Sequence, residues 1–421
     1  MELYQVLIYA VTYVGLVATF FYMLNLRAYY KRKDLPKEAE DKTVSILIPA
    51  YNEEDSIERT IESALAIDYP KERLEIIVVD DGSKDGTYNL AKKYESSKKF
   101  HVRVFTKENG GKGSALNLGI SKAKNDIIIS MDADTSVNKD AVKKMVAHFY
   151  SDDVMSVTPS MGVVKPKSLW QRVQHIEYYT GNFLRKSFAI VNSIHITPGA
   201  FSAYRKSFFE KYGGYEVGNI TEDLEIALRI QKHDYIIENA AEAVVYTIPP
   251  RRFRELLVQR RRWYIGLAKN LYRYRELFGF RKGILGTIVL PLATLSILFT
   301  VVLTFYMVIK TISQVQSDIN LLTSINFNIG NLITTGSFLT KNFFSTLFYN
   351  TFTNPIFILG LIFILFITFY LRFARKNMKF REGVRINTII FIFLYAILYT
   401  FWWVVSLIYL AVNKKVGWGH K

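Results

Sequence analysis

The chain has 421 residues, of which half are hydrophobic, and its formal net charge is +17 at neutral pH. This length is too great for one small domain, and the apolar half predicts a membrane portion beside a soluble core. Since the chain has no cysteine, a disulfide framework and a thiolate metal site are excluded. Beside apolar segments, the positive charge favours a membrane surface over nucleic acid as partner.

The first apolar segment, Leu3 to Leu26, contains no charged residue and is long enough to cross the roughly 30 Å of membrane hydrocarbon as a helix. Four basic residues follow it within residues 27–33. Because lysine and arginine are retained on the cytoplasmic side, the middle of the chain is expected in the cytoplasm.

Short β-branched runs alternate with helical periodicity between Lys42 and Tyr150, a pattern typical of an α/β fold with a mostly parallel, Rossmann-like sheet. The predicted strands are Val44 to Ile48, Leu74 to Val79, Val102 to Phe105 and Asp126 to Met131, and the predicted helices include Ile57 to Ala66 and Ala115 to Ala123. Pro49 is expected to stop the first strand. Ligands are expected at the carboxyl ends of these strands.

Polar side chains follow the first two strands. Tyr51, Asn52 and Glu53 come after the first strand, and Asp80 and Asp81 end the second. Adjacent aspartates before a glycine are ordinary turn chemistry, but they could also accept hydrogen bonds from the base and ribose of a nucleotide. The residues alone leave both interpretations open.

A glycine-rich loop, Asn109 to Asn117, leads from the third strand into a helix. Free backbone amides at the helix start, with Lys112 close by, would suit an anion such as phosphate. Because Gly113 follows the lysine, the loop is not a phosphate loop of the nucleoside triphosphatase type. The alternative is a helix-opening loop with an exposed lysine.

The fourth strand ends at Asp132-Ala-Asp134. Two carboxylates separated by one residue can converge on one hard cation, Mg²⁺ or Mn²⁺, from a loop. A cation held by Asp132 and Asp134 could bridge two phosphates and neutralise a departing diphosphate.

Thr221, Glu222 and Asp223 begin a predicted helix. A threonine cap followed by two acids would stabilise any helix. The alternative is that Asp223 is a general base, which the helix N-terminus would keep ionised.

A basic segment, Arg251 to Arg275, contains the motif Gln-Arg-Arg-Arg-Trp at residues 259–263. On a helix Gln259, Arg262 and Trp263 share one face, which could address a site, while the other arginines meet anionic head groups. The alternative is a basic amphipathic helix that only lies on the membrane.

Three further apolar segments lie at Ile284 to Ile309, Pro355 to Leu371 and Ile389 to Val412, which brings the predicted membrane spans to about four. Residues 310–354, nearly free of charge, are predicted to be an extramembrane loop or a surface-lying segment on the outer side of the membrane. Six basic residues against one acid within residues 372–385 predict a cytoplasmic loop. With four spans, Lys414 and Lys415 fall on the outer side of the membrane. A four-span count does not explain why this basic tail lies there.

Together these motifs resemble the inverting glycosyltransferases of family 2, in particular the membrane-embedded branch of cellulose, hyaluronan, chitin and poly-N-acetylglucosamine synthases. The resemblance runs from about Val44 to Trp263. It rests on Pro-Ala-Tyr-Asn-Glu-Glu (49–54), Asp-Asp-Gly (80–82), Asp-Ala-Asp (132–134), Thr-Glu-Asp (221–223) and Gln-Arg-Arg-Arg-Trp (259–263). Five motifs in one order are far more specific than any one of them.

The resemblance implies a GT-A fold and a nucleotide-sugar donor held at the strand ends. Asp81, with the loop from Tyr51 to Glu53, would hold the nucleoside. Asp132 and Asp134 would hold the sugar diphosphate, the latter through Mg²⁺ or Mn²⁺.

The later motifs are then expected to act on the acceptor and the diphosphate. Asp223 would deprotonate the acceptor hydroxyl, with Glu222 beside it among the substrate-binding residues. Gln259, Arg262 and Trp263 would close over the diphosphate, Arg262 neutralising phosphate charge and Trp263 stacking on an acceptor sugar.

The predicted domains follow from these assignments. They are a transmembrane helix with a basic linker (1–41), a cytoplasmic catalytic domain (42–250), a basic interfacial helix (251–283) and a C-terminal membrane region (284–421). The expected location is the cell membrane, crossed several times, with membrane lipids as partners.

Four spans are fewer than the channel-forming synthases of this branch generally have. A polymerase would therefore need a homo-oligomer or an export partner, and a saccharide or lipid-linked acceptor remains open. The other hypotheses are a polyprenyl-phosphate hexose synthase and a non-enzymatic nucleotide-sugar-binding or transport protein.

Overall fold

The computed structural model describes residues 3–32, 38–95, 101–324 and 384–414, with isolated residues between 345 and 372. Most of the predicted third span and most of the basic segment after it lie outside the described residues. The chain divides into two compact units, one formed by Met1–Phe21 with Pro291–Asn377 and the other by Tyr22–Leu290 with Met378–Lys421. The second, which we call the catalytic unit, contains the whole sheet.

The elements follow in chain order. The helices are α1 (Leu3–Lys31), α2 (Ile57–Leu65), α3 (Thr87–Glu95), α4 (Lys112–Lys122), α5 (Ala141–Val146), α6 (Leu169–Ile190), α7 (Lys206–Tyr212), α8 (Glu222–Lys232), α9 (Phe253–Arg273), α10 (Leu290–Ser324) and α11 (Val384–Ala411). The strands are β1 (Val44–Ala50), β2 (Leu74–Asp80), β3 (Val102–Thr106), β4 (Ile127–Met131), β5 (Ser136–Val137), β6 (Val154–Val163), β7 (Phe201–Arg205) and β8 (Ile236–Thr247). Short 3₁₀ turns lie at Lys71–Arg73, Arg275–Leu277 and Phe280–Lys282, and a π-helical turn, Leu285–Val289, precedes α10.

The sheet has the order β3-β2-β1-β4-β7-β6-β8-β5. Strands β1 to β4 are parallel, as predicted, and so are β6 and β8. However, β7 runs antiparallel to both β4 and β6, and β5 runs antiparallel to β8. The sheet is therefore mixed, but six of its eight described strands run in one direction, as a mostly parallel sheet predicts. Strand β7 is reversed because the long helix α6 returns the chain to the sheet in the opposite direction.

Pro49 is predicted to stop the first strand, but the strand continues past it. Strand β1 continues through Pro49 to Ala50 beside β2, whereas its register with β4 ends at Leu47. Proline lacks a backbone donor, and at position 49 only one neighbouring strand has to be paired.

Side-chain alternation along the strands builds one core on each face of the sheet. Ile46 and Ile48 pack with residues of α2, α3 and α5. Leu47, between them in sequence, packs on the other face with residues of α4, α7 and α8. Burial on both faces explains why these strands appear as continuous apolar runs in the sequence.

Two helical segments of the described residues, Ile8–Lys31 and Leu285–Ser324, are long and apolar enough to cross a membrane. The pair Ile386–Tyr395 and Ile397–Ala411, bent by 42°, would be a third if it is one span. The prediction of four spans is therefore not confirmed. Helix α10 also continues to Ser324, into the segment predicted as a loop.

Candidate active site

The loops after β1 and β2 are joined by hydrogen bonds at the carboxyl ends of these strands. The backbone amide of Asn52 donates to Ser83 Oγ at 2.9 Å, and that of Glu53 donates to Thr87 Oγ1 at 2.8 Å. The Glu53 carboxylate accepts the Ser56 hydroxyl at 2.6 Å. The segment from Tyr51 to Glu53 is thus held against the second loop.

Asp80 and Asp81 are both buried and both bind the chain's own loops. Asp81 accepts the Lys107 ammonium at 2.9 Å and the amide of Gly111 at 2.7 Å, with the Gly110 amide at 3.1 Å. Asp80 accepts the Thr106 hydroxyl at 2.9 Å. The amides of the glycine-rich loop were expected to be free for an anion, but Asp81 already supplies that anion.

Lys112, the first residue of α4, lies at the centre of an acidic cluster. Its Nζ is 2.6 Å from Asp132 Oδ1, 3.2 Å from Glu222 Oε1 and 3.4 Å from the carbonyl oxygen of Gly199. The alternative of an exposed lysine is therefore wrong. Burial alone would lower the pKa of Lys112, but Asp132, Glu222 and Asp223 together raise it well above its ordinary value.

Asp223 lies in the first turn of α8, directly beside this lysine. Its Oδ1 accepts the amide of Leu224 at 2.9 Å, and its Oδ2 accepts the amide of Gly199 at 3.1 Å. Burial and then the charge of Glu222 raise the pKa of Asp223 to about 6, against the lowering effects of Lys112 and Arg262. A carboxyl group with this pKa is ionised at neutral pH, as expected for a general base, and it is a stronger base than an ordinary aspartate.

We call Lys112, Asp132, Glu222 and Asp223 the Lys112 cluster. Four of the predicted site residues are brought together in it, from the starts of two helices and the end of β4. Three carboxylates surround one ammonium. Burial first, and this excess of negative charge second, explain why Asp223 holds a proton more tightly than an ordinary aspartate.

Gly199 lies against the Lys112 cluster and is not among the site residues that the sequence predicts. A Cβ at this position would lie 2.8 Å from Asp223 Oδ2 and 3.0 Å from Lys112 Nζ, which is closer than real side chains approach. The hydroxyl of nearby Thr197 donates to the carbonyl oxygen of Asp223 at 2.7 Å. The only signal in the sequence is a Thr-Pro-Gly turn before an apolar strand, and this is common in loops.

Helix α9 brings Arg262 to the start of α8 by close backbone packing. A Cβ on Gly266 of α9 would lie 2.2 Å from Thr221 Oγ1, so only glycine allows the two helices to approach this closely. Asn270 Nδ2 donates to the same hydroxyl at 3.0 Å, and Arg262 donates to the carbonyl oxygen of Ile220 at 3.4 Å. This contact holds a guanidinium next to Asp223, whose pKa it lowers.

The other residues of the Gln-Arg-Arg-Arg-Trp motif face helices of the catalytic unit. The Arg260 guanidinium is fully buried, pairs with Glu177 of α6 and lies 4.1 Å above the Trp263 ring. Arg261 lies 4.2 Å above the ring of Tyr409 in α11. The expectation that these two arginines meet head groups is therefore wrong for Arg260. Gln259 Oε1 is buried without a hydrogen-bond partner among the described residues.

Asp132 and Asp134 follow β4 in a turn closed by a hydrogen bond from the Thr135 amide to the Asp132 carbonyl oxygen. Burial and then the charge of Glu177, against the lowering effect of Arg260, raise the pKa of Tyr178 to about 12. Asp134 and Asp132 add to this rise, so both aspartates act on one phenol. In the described part of the chain no group of three or more histidine or acidic side chains could hold a metal ion. The pair still fits Mg²⁺ or Mn²⁺, which nucleotide sites commonly bind through one or two carboxylates and substrate phosphates.

Comparison with known protein families matches residues 45–213 to the family described as Glycosyl transferase family 2. The poly-beta-1,6-N-acetyl-D-glucosamine synthase of Staphylococcus aureus is 30% identical over 256 residues, which are 60% of this chain and 61% of that protein. The synthase of the same name from Staphylococcus epidermidis is 28% identical over 262 residues, 61% of this chain and 63% of that protein. The chain thus spans about three-fifths of the length of these relatives.

Among solved structures, a mannosyltransferase from Pyrobaculum calidifontis in complex with GDP-Man and Mn²⁺ is similar, with a TM-score of 0.58 and 20% sequence identity. The match covers 86% of this chain and 98% of that protein. At such low identity the likeness concerns the fold alone.

Proposed function

We propose that this chain is a glycosyltransferase of family 2, because residues 45–213 match the model of that family and the fold is similar to that of a solved mannosyltransferase. It is a membrane-bound inverting glycosyltransferase that moves N-acetylglucosamine from a UDP-sugar to the hydroxyl of a growing β-linked glycan. The observation that carries the proposal is the Lys112 cluster, in which a carboxylate with a raised pKa lies beside the residues suited to a sugar diphosphate.

Asp223 is the general base of this reaction. A carboxylate with a pKa of about 6 is ionised at neutral pH and accepts a proton more readily than an ordinary aspartate. It takes the proton of the acceptor hydroxyl while that oxygen forms its bond to the anomeric carbon and the bond to the diphosphate breaks. A single displacement of this kind inverts the anomeric configuration.

The residues around Asp223 bind and neutralise the diphosphate. Asp132 and Asp134 would hold a divalent cation, which when bound supplies a Lewis acid for the departing diphosphate. Lys112 keeps three carboxylates close together that would otherwise repel one another. Arg262, held near Asp223 by the contact of α9 with α8, carries a fixed positive charge toward the same place.

The identity of the sugar is proposed from the relatives. Both staphylococcal proteins are named as synthases of poly-β-1,6-N-acetyl-D-glucosamine, and the similarity to the first spans 256 residues of this chain. This supports N-acetylglucosamine over other sugars, with glucose and mannose as the donors to exclude.

The test uses the full chain purified in lipid nanodiscs. UDP-N-acetylglucosamine, UDP-glucose and GDP-mannose are each supplied with Mn²⁺, Mg²⁺ or chelator, and the released nucleoside diphosphate is measured with Asp223→Asn as the inactive control. We expect release from UDP-N-acetylglucosamine that needs the cation and is lost in Asp223→Asn. Donor binding with no release in any combination would contradict the proposal and favour a nucleotide-sugar-binding protein.

Sizing of the radiolabelled product separates the remaining possibilities. A ladder of long chains identifies a polymerase, and a single added sugar identifies transfer to a lipid-linked saccharide. A product that mild acid cleaves from a polyprenyl phosphate would replace the proposal by the hexose synthase.

A further inference from the structure

Helix α11, which belongs to the catalytic unit, contacts α6 and α9 of the same unit along nearly its whole length. Near its start, Asn387 Nδ2 lies 3.0 Å from His175 Nδ1 of α6, and further along the Tyr395 hydroxyl donates to Glu177 at 3.3 Å. Near its end the Tyr409 ring lies under the guanidinium of Arg261 of α9. These contacts fasten both ends of the helix and its middle to one unit.

The contact surface of α11 is a packed core rather than a loose apposition. Trp402 and Trp403 are 0% and 2% exposed, and Trp403 stacks on Tyr264 of α9 with ring centroids 4.6 Å apart and planes 11° from parallel. The Arg260 guanidinium lies 5.5 Å from the Trp402 ring. Such burial of aromatic rings is the part of a helix interface that contributes most free energy.

The opposite side of α11 is apolar and exposed. Ile386, Ile389, Phe393 and Ile397 follow one another at three or four residues, and Ile408 lies on the same stripe three turns, or eleven residues, further on; these five side chains are 55% to 73% exposed. A stripe of large apolar side chains without a protein partner among the described residues fits the hydrocarbon of a membrane.

The length of the helix conflicts with a crossing of the bilayer. From Asn387 to Tyr409 the helix is about 33 Å long at 1.5 Å per residue, measured along its bent path, so a spanning α11 would place these residues on opposite sides of roughly 30 Å of hydrocarbon. Both residues contact α6 or α9, which carry the charged pair Glu177 and Arg260 and belong to the unit with the sheet.

We propose that α11 is not a membrane span but lies in the membrane surface, with its tryptophan face on α6 and α9 and its isoleucine–phenylalanine face in the lipid. The residues that follow it are then on the same side of the membrane as the catalytic unit. This removes the conflict in the four-span count, because the basic segments before and after α11 both fall on the side where lysine and arginine are retained.

The absence of cysteine from the chain makes the side of the membrane directly measurable. Single cysteines are introduced as Val412→Cys after α11, Ser121→Cys on the exposed end of α4, and Ser337→Cys in the segment that the sequence predicts to be outside. Intact cells and inverted vesicles are treated with a membrane-impermeant maleimide. We expect Val412→Cys to react in the same preparation as Ser121→Cys, and reaction in the opposite preparation would overturn the proposal.

Depth distinguishes a helix lying in the surface from one that enters and returns. Spin labels on cysteines at positions 386, 393, 397 and 408 of the full chain in nanodiscs report depth through their exposure to oxygen and to a water-soluble nickel complex. We expect similar shallow depths, within about 5–10 Å of the head groups. In a spanning helix position 397 would lie about 16 Å deeper than 386, and such a profile would refute the proposal whatever the result with Val412→Cys.

Discussion

The Lys112 cluster and the Glu177–Arg260 pair are both buried charge networks, but their charges are balanced differently. In the cluster three carboxylates share one lysine, while between α6 and α9 one glutamate pairs with one arginine among aromatic rings. Burial, and then the surplus acid through Glu222, raise the pKa of Asp223 to about 6, which creates a base. The one-to-one pair has no such surplus and holds two helices together.

The comparison suggests that an unbalanced network performs chemistry and a balanced one fixes structure. Changes in the Lys112 cluster should therefore alter turnover and its pH dependence with little loss of stability. Changes in the Glu177–Arg260 pair should do the reverse.

The largest effect is expected from Asp223→Asn. Without the base, kcat should fall by about 10²–10⁴. Its folded-state pKa of about 6 exceeds the ordinary 3.8, so the stability from this group is present below about pH 4 and is lost as the pH rises through 6. At pH 7.5 the folded chain therefore bears the free-energy cost of an ionised, buried Asp223. Asparagine removes this cost, and the free energy of unfolding at pH 7.5 should rise by roughly 1–3 kcal/mol.

The exposed Asp153→Asn serves as control for this variant, because it removes the same charge away from the cluster. Thermal unfolding and kcat of both variants are measured together. Loss of activity with a lower melting temperature would mean that Asp223 is a structural residue.

The second effect concerns Lys112 and pH. In the unaltered chain kcat/KM should fall tenfold per pH unit below about pH 6, as Asp223 takes up a proton. Since Lys112 lowers the pKa of Asp223, Lys112→Met should move this decline to higher pH, and Lys112→Arg should largely keep its position. An unchanged profile in Lys112→Met would show that another group controls the pH dependence.

The sequence predicted the parts of the fold and site that depend on local pattern. The bounds of β1 to β4 lie within about two residues of the predicted ones, since apolar runs and turn residues mark them. Asp132 and Asp223 could be singled out because each lies at the end or start of an element. Gly199 and Glu177 could not, because their importance comes from neighbours 24 and 83 positions away that only the fold brings close.

The third effect tests the close approach at Gly199. Gly199→Ala places a methyl group against Asp223 and Lys112, so the two must separate, and we expect kcat/KM to fall by about tenfold or more. Gly181→Ala is the matched control, because its methyl group would meet only the Arg185 guanidinium at 4.0 Å. It should leave activity unchanged; equal losses in the two variants would remove the special role of Gly199.

The smallest effect on turnover is expected from the Glu177–Arg260 pair, although its effect on stability is large. Glu177→Gln leaves the Arg260 charge buried without its carboxylate, which should cost about 3–5 kcal/mol in the free energy of unfolding. Arg260→Gln should cost a similar amount, because burial already disfavours the Glu177 charge and raises its pKa. The double variant leaves no charge unpaired. Its loss of free energy of unfolding should therefore be smaller than the sum of the two single-variant losses by more than about 1 kcal/mol.

The same variants decide whether balance of charge is the property that separates the two networks. At a temperature where all are folded, kcat of Glu177→Gln should stay within a few-fold of the unaltered chain, with any larger change in KM, because Arg260 holds Trp263 and not the cluster. A kcat loss as deep as that of Asp223→Asn in both the single and the double variant would place the pair in the reacting site. The buried arginine would then act on the substrate, and a one-to-one pairing would no longer distinguish structure from chemistry in this unit.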